Sequence, residues 1–207
     1  MTTIPDTADT VVKASHVPGP LQGSWTYADW EALPADSNRY EIINGVLYMT
    51  TAPHSFHQWI IRRLERFIGI PAEDAGLAYS FSAPIGVIMP GCDPVQPDYV
   101  VVLQQRSDLF RAGRIYGVPD LIIEVLSPGT RTYDERIKLP AYAAAGVPEY
   151  AIIDPQNRTV SLRRLEVPGR YAAPIITHEA EVLTFACLSS INVHVRDLFT
   201  GAPDTSL

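Results

Sequence analysis

Basic residues are scarce in this chain. Sixteen Lys and Arg stand against 23 Asp and Glu in 207 residues, a formal net charge of -7. That balance argues against a protein that coats nucleic acid, whose domain would be basic. It leaves room for an enzyme that gathers arginines on one face and carboxylates at a metal site. Cysteine is scarce too: Cys92 and Cys187 are far apart and in no metal-type spacing, so neither a disulfide framework nor a zinc ribbon is expected. Both read as small buried or half-buried residues. No apolar run approaches the roughly 20 residues that span a bilayer. Residues 1–20 lack the basic start and apolar stretch of a secretory signal. The expectation is a cytoplasmic protein with no membrane partner.

Apolar residues make up 46% of the chain and charged residues 19%, enough for a globular core. The length favours one domain. Residues 1–24, polar and rich in Thr, Asp and Pro, read as a disordered tail. Residues 25–200 read as a single domain and 201–207 as a C-terminal tail.

Thr26, three residues before Asp29, marks a helix start and predicts a short helix over 28–33. Asn44-Gly45 between two apolar runs predicts a hairpin over 40–49. Residues 53–69 carry apolar side chains at helical spacing. Strands are expected within 78–89, a turn at 91–94, and buried strands at 98–103 and 121–126. Residues 104–117 form an arginine-rich excursion. A helix over 130–145 ends at Gly146, with Pro140 in conflict because an interior proline removes a backbone bond. A strand over 150–153 and an antiparallel extension over 160–198 complete the chain. Three arginine groups stand out: Arg62, Arg63 and Arg66; Arg106, Arg111 and Arg114; Arg131 and Arg136. Each reads first as a solvated face.

The chemistry lies in two carboxylates placed in buried strands. Asp98 follows Pro97 and opens Asp98-Tyr99-Val100-Val101-Val102. Glu124 interrupts Leu121-Ile122-Ile123-Glu124-Val125-Leu126. A buried charge is costly unless it is paired or binds a metal, so a salt bridge to an arginine and a metal site are both open. Asp120 shares a strand with Glu124 but lies roughly 13 Å from it at about 3.3 Å per residue, too far to share a metal. Asp134, Lys138 and Tyr142 recur at i, i+4 and i+8 on one helix face, as a surface ion pair with a half-buried tyrosine or as part of a site. Lys138 is one of two lysines beside 14 arginines, which suggests a task needing a compact ammonium. Glu41 reads as an edge-strand charge or a third acidic ligand. His57, at a helix start, reads more readily as a solvated or capping residue than as a ligand.

These pieces together resemble a bacterial family, the Uma-type (Uma-two) endonucleases. The resemblance runs through Tyr40-Glu41-Ile42-Ile43-Asn44-Gly45, His57-Gln58, Gln96-Pro97-Asp98 and Pro119-Asp120-Leu121-Ile122-Ile123-Glu124-Val125-Leu126-Ser127-Pro128. It continues through Asp134, Lys138 and Tyr142 to Gly146-Val147-Pro148-Glu149-Tyr150 and Asp154-Pro155. It covers roughly residues 25–200. It implies an α/β fold with a mixed sheet: a restriction-endonuclease-like PD-(D/E)XK core, with an N-terminal hairpin and a C-terminal antiparallel extension. It implies Asp98 as the acid of the PD half-motif and Glu124 as the acid of the other half. The lysine of that second half should fall at 126, where Leu126 stands, and Lys138 is its implied substitute. Asp98, Glu124 and the Val125 carbonyl would hold Mg²⁺ or Mn²⁺. Glu41 would bind the metal or orient a water, with His57, Asp134 and Tyr142 as secondary candidates.

The leading expectation is therefore a metal-dependent endonuclease acting on DNA, with a homodimer as its assembly. The alternative is a catalytically degenerate nuclease fold used for binding or regulation, which the acidic balance, Leu126 and Pro140 favour. A third reading is a structural protein with buried ion pairs.

Overall fold

The computed structural model describes residues 11–34, 36, 38–50 and 53–206. Of the expected disordered tail, residues 1–10 lie outside the described residues. The following stretch is packed: β1 (Val12–Lys13) pairs antiparallel with residues 48–49, and Ala14 is fully buried. Val11, Ala14 and Val17 supply apolar contacts that the polar character of the segment conceals. The expected capping box forms between Thr26 and Asp29, opening α1 (Tyr27–Glu31). β2 (Arg39–Ile43) and β3 (Val46–Thr50) make the expected hairpin, with Asn44 and Gly45 at φ 50° and 71°.

α2 (Ser55–Leu64) continues through a π turn at Glu65–Gly69 into α3 (Ile70–Asp74), beyond the boundary expected at 69. Then come β4 (Ala78–Ser82), β5 (Val87–Met89) and β6 (Cys92–Val95). Residues 92–94, expected as a turn, are strand because the reversal is made by Pro90 and Gly91 just before them. β7 (Tyr99–Leu103) leads into a short hairpin, β8 (Phe110–Arg111) and β9 (Arg114–Tyr116). After β10 (Leu121–Val125), the helix over 131–145 is built from α4 (Arg131–Tyr133), a π turn at Asp134–Lys138 and α5 (Leu139–Ala145). Gly146 stops it at φ 93°. The remainder is β11 (Glu149–Asp154), β12 (Thr159–Val167), β13 (Arg170–Tyr171), β14 (Ile175–His178), β15 (Val182–Thr184) and β16 (Asn192–His194). The extension expected to stay antiparallel to 198 ends instead in α6 (Val195–Phe199), whose Val195, Leu198 and Phe199 bury one side against the core.

Pro140 is reconciled with its helix by the π turn. The Leu139 N–H donates five residues back to the Asp134 carbonyl, and Pro140, which has no N–H, follows at once. The same device recurs at Ile70-Pro71, where the Ile70 N–H reaches the Glu65 carbonyl. The widened turn eases the clash that a proline ring makes with the carbonyl four residues back.

One mixed sheet runs β13-β12-β11-β10-β7-β4, with β14 also paired to β12. Its pairings are antiparallel except β10 with β11, which run parallel and are joined by the 131–145 helix. Alternation along β7 and β10 decides which side chain meets which layer. Tyr99, Val101, Leu121 and Ile123 pack with α2 and the C-terminal elements. Val100, Val102 and Ile122 pack with the 131–145 helix and with the second sheet, β1-β3-β2-β6-β5-β9-β8. Among the described residues no helix is long and apolar enough to cross a membrane.

Candidate active site

β7 and β10 are antiparallel neighbours with Tyr99 opposite Ile123, so one further step sets Asp98 opposite Glu124. Both carboxylates take the parity of Val100 and Ile122 and lean into the layer between the two sheets. Beyond the end of the ladder, side chains serve the main chain. The Asp98 N–H donates to Glu124 Oε2 at 3.2 Å, and the Val125 N–H donates to Asp98 Oδ2 at 3.0 Å. His57, from the first turn of α2, brings Nε2 to 3.0 Å from Asp98 Oδ2, and Arg39 of β2 brings a guanidinium nitrogen to 3.5 Å from Oδ1. Asp98 is 5% exposed and Glu124 1%.

Lys138 enters from the opposite wall, on the π turn, and is 2% exposed. Its Nζ lies 2.9 Å from Glu124, 3.4 Å from Glu41 and 3.9 Å from Asp134. The Tyr142 hydroxyl donates to the same Glu124 oxygen at 3.0 Å. Glu41 is not an edge charge: β2 lies between β3 and β6, and its carboxylate is fully buried. It accepts from the Gln96 N–H at 2.6 Å and from the Tyr133 hydroxyl at 3.0 Å.

Four carboxylates (Glu41, Asp98, Glu124 and Asp134) thus share this interior with Lys138, Arg39 and His57. Burial would raise the Asp98 carboxyl, but the charge and hydrogen bond of His57, with Arg39 and Lys138, hold it well below the usual carboxylate range. Glu124 goes the other way: burial and the charges of Asp98, Asp134 and Glu41 outweigh Lys138 and push it up. Asp134 rises to about 7, by burial first and then by Asp98 and Glu41, against the pull of Lys138 and a hydrogen bond from Thr130. Burial would lower Lys138, yet Glu124, Glu41, Asp134 and Asp98 together raise it, so it is an ammonium. Burial and nearby carboxylates also raise the Tyr133 and Tyr142 phenols, keeping both as O–H donors.

These groups surround a cavity of about 20 Å³, whose walls include Asp98, Glu124, Val125, Ser127, Asp134 and Lys138. That is room for one water-sized occupant. Arg39, Thr50, Pro53, His57 and Asp98 also border a neighbouring groove of about 290 Å³, lined further by Asn38, Gln58 and Gln96.

Among the described residues no three His, Cys, Asp or Glu side chains converge on one metal position. The surroundings nevertheless suit a hard divalent cation, which takes oxygen ligands and keeps several of its waters. Two carboxylates meet at the cavity, and the neighbouring negative charges that add to burial in raising Glu124 and Asp134 are what a dication offsets. The Val125 N–H faces Asp98, and a strand residue's N–H and C=O point the same way. The Val125 carbonyl therefore faces the same side.

Of the residues singled out in the sequence, Asp98, Glu124, Val125, Asp134, Lys138 and His57 line this cavity, and Glu41 and Tyr142 stand behind it, against Lys138 and Glu124. His57 is neither solvated nor a cap: it is 6% exposed and bound to Asp98. Asp120 is elsewhere, accepting from the Leu103 N–H and paired with Arg106 at 2.7 Å. Arg131 pairs with Asp154 at 2.7 Å, and Arg63 donates to the Asp197 carbonyl at 2.6 Å, so these arginines anchor the structure. Two participants escaped the sequence reading. Arg39 stands two residues before Glu41 in one strand, and that period-2 spacing was a signal for a shared face. Tyr133 gave no signal, since its helical phase depends on the π turn beside it.

The sequence model of one family, Uma2, described as "Putative restriction endonuclease", matches residues 26–196. No curated protein matches the chain. Among solved structures, the fold is similar to the crystal structure of a "putative nuclease belonging to DUF820" from Anabaena variabilis ATCC 29413. The TM-score is 0.72 at 20% sequence identity, over 87% of this chain and 98% of that one.

Proposed function

Because this chain belongs to the Uma2 family, described as "Putative restriction endonuclease", we propose that it is a metal-dependent endonuclease hydrolysing phosphodiester bonds of DNA. The observation that carries the reading is the meeting of Asp98 and Glu124 across β7 and β10, with Lys138 Nζ 2.9 Å from Glu124. A plain structural ion pair would not set three carboxylates around one ammonium beside a water-sized cavity.

Asp98, Glu124 and the Val125 carbonyl would hold the ion, Mg²⁺ or Mn²⁺, which when bound makes a nearby water more acidic and offsets phosphate charge. His57 and the Val125 N–H fix the Asp98 carboxylate; the Tyr142 hydroxyl and Lys138 fix that of Glu124. Lys138 supplies a fixed ammonium in the cavity wall, whose charge would offset the negative charge that builds up in the transition state. Glu41 holds Lys138 from behind and is itself held by Tyr133 and Gln96. The Asp134 carboxylate, in the same wall, is placed to receive a proton from water. Arg39, 23% exposed at the border of cavity and groove, would meet the phosphodiester chain as it enters.

The test is incubation of purified protein with supercoiled plasmid and with short single-stranded DNA, in Mn²⁺, Mg²⁺ or chelator, beside D98N. Cleavage that needs the metal and vanishes in the variant supports the reading. A folded protein that cuts neither substrate in any metal counts against it. One observation favours the second reading, a degenerate module for binding or regulation: Leu126 occupies the usual lysine position and is buried in the apolar layer. Metal-dependent DNA binding without cleavage would select it. A homodimer in the cytoplasm belongs to the same proposal; Ile175 and Ile176 on β14, each about half exposed, would suit a subunit contact, and sedimentation of the protein as a monomer at micromolar concentration would remove the dimer.

A further inference from the structure

We propose that the Ser127 hydroxyl holds the attacking water inside the cavity between Glu124 and Asp134, an inference that rests on the hydrolytic reading above. Ser127 follows β10 and is 5% exposed, yet its Oγ has no hydrogen-bond partner among the described residues. Buried hydroxyls are seldom left so, because the lost hydration exceeds what a hydrogen bond contributes. The side chain is not needed to shape its own turn. The Ser127 N–H donates to Thr130 Oγ1 at 3.1 Å, and the Thr130 N–H returns to the Ser127 carbonyl at 3.2 Å. What Ser127 does border is the cavity it shares with Asp98, Glu124, Asp134 and Lys138.

Size decides what that hydroxyl serves. A space of about 20 Å³ admits one water-sized group at a time, so a phosphate stays outside it and the ion would be held toward the neighbouring groove that Asp98 also borders. A buried water typically makes about three hydrogen bonds to polar groups that otherwise lack them. Ser127 Oγ supplies one, and the carboxylates across the cavity supply the others. Held there, the water oxygen forms the new bond to phosphorus while the bond to the departing sugar oxygen breaks and that oxygen takes the bonding pair. One water proton passes to the Asp134 carboxylate, and the departing oxygen takes a proton from solvent.

The experiment pairs crystal structures of wild type and S127A, at a resolution that shows waters, with cleavage kinetics of wild type, S127A and S127T. An ordered water within hydrogen-bond distance of Ser127 Oγ, displaced in S127A, is expected. So is a fall in kcat of about tenfold in S127A with KM and Tm unchanged, and recovery in S127T, which keeps the hydroxyl. An empty cavity, an Oγ bonded to protein instead, an S127A that cuts as fast as wild type, or a loss matched by a fall in Tm overturns the inference while cleavage by wild type stands. A wild type that holds the water but cuts nothing overturns the nuclease reading instead, and Ser127's part in attack with it.

Discussion

The main-chain N–H of Asp98 donates to the side chain of Glu124, and the carboxylate of Asp98 accepts the N–H of the residue after Glu124. The two acids are therefore interlocked through backbone as well as side chain. Moving either one costs hydrogen bonds to a charged acceptor, which are stronger than neutral ones. The site behaves as one unit, and its variants should show it.

If the interlocked pair holds a divalent ion, Mn²⁺ or Mg²⁺ raises the thermal stability of the wild type. A ligand that binds only the folded state adds about 2.7 kcal/mol at a hundredfold excess over its Kd. D98N, which keeps the shape and removes the charge, should lose most of that metal-dependent rise. Thermal melts with and without chelator measure it, and an equal rise in D98N would place the ion elsewhere.

Lys138 is the ammonium nearest to Glu41 and Glu124. Lys138→Met leaves those buried carboxylates without it, and removing one partner of a buried pair typically costs about 3–5 kcal/mol. Urea unfolding should show a loss of that order, partly recovered in the double variant K138M/E124Q, where one orphaned charge is gone. A loss below about 1 kcal/mol, the value of an exposed pair, would contradict the burial of Lys138.

The pH dependence of the metal-free protein follows from the opposed shifts. Asp134 has its folded pKa raised from 3.8 to about 7, so between those values the folded state binds more protons than the unfolded state. Stability from this group therefore falls as pH rises through that window, and Glu124, also raised, acts in the same direction. Asp98, lowered, acts oppositely: its contribution is present above its ordinary pKa and is lost as pH falls below it. Melting temperature measured from pH 4.5 to 8 in chelator should decline with pH more steeply in wild type than in D134N. Identical profiles would argue that Asp134 titrates normally.

Pro140→Ala restores the N–H whose absence the π turn accommodates. In a helix of 3.6 residues per turn, losing the extra residue of a π turn rotates what precedes it by about 100°. Lys138 and Asp134 would leave their partners. We expect a cooperatively folded protein with cleavage reduced on the order of a hundredfold, since small misplacements of reacting groups carry losses of that size. Cleavage rates and melts run side by side decide it; full activity would mean that the π turn does not position Lys138.

What the sequence determined by itself was local. Thr26 and Asp29 form their capping box, Asn44-Gly45 its hairpin and Gly146 its helix stop, because each depends on neighbours in the chain. The buried strands carrying Asp98 and Glu124 were legible as apolar runs, and their acids stood out because charge there is costly. Which partners each acid takes was not legible. His57 and Arg39 reach Asp98 from a helix and a strand of different layers, and Tyr133 reaches Glu41 across 92 positions. Only the stacking of the two sheets makes Glu41 an interior group and turns a pattern of helix residues into a buried ammonium. Sequence spacing fixes which face a residue takes within its own element, whereas the packing of one element on another fixes what that face meets.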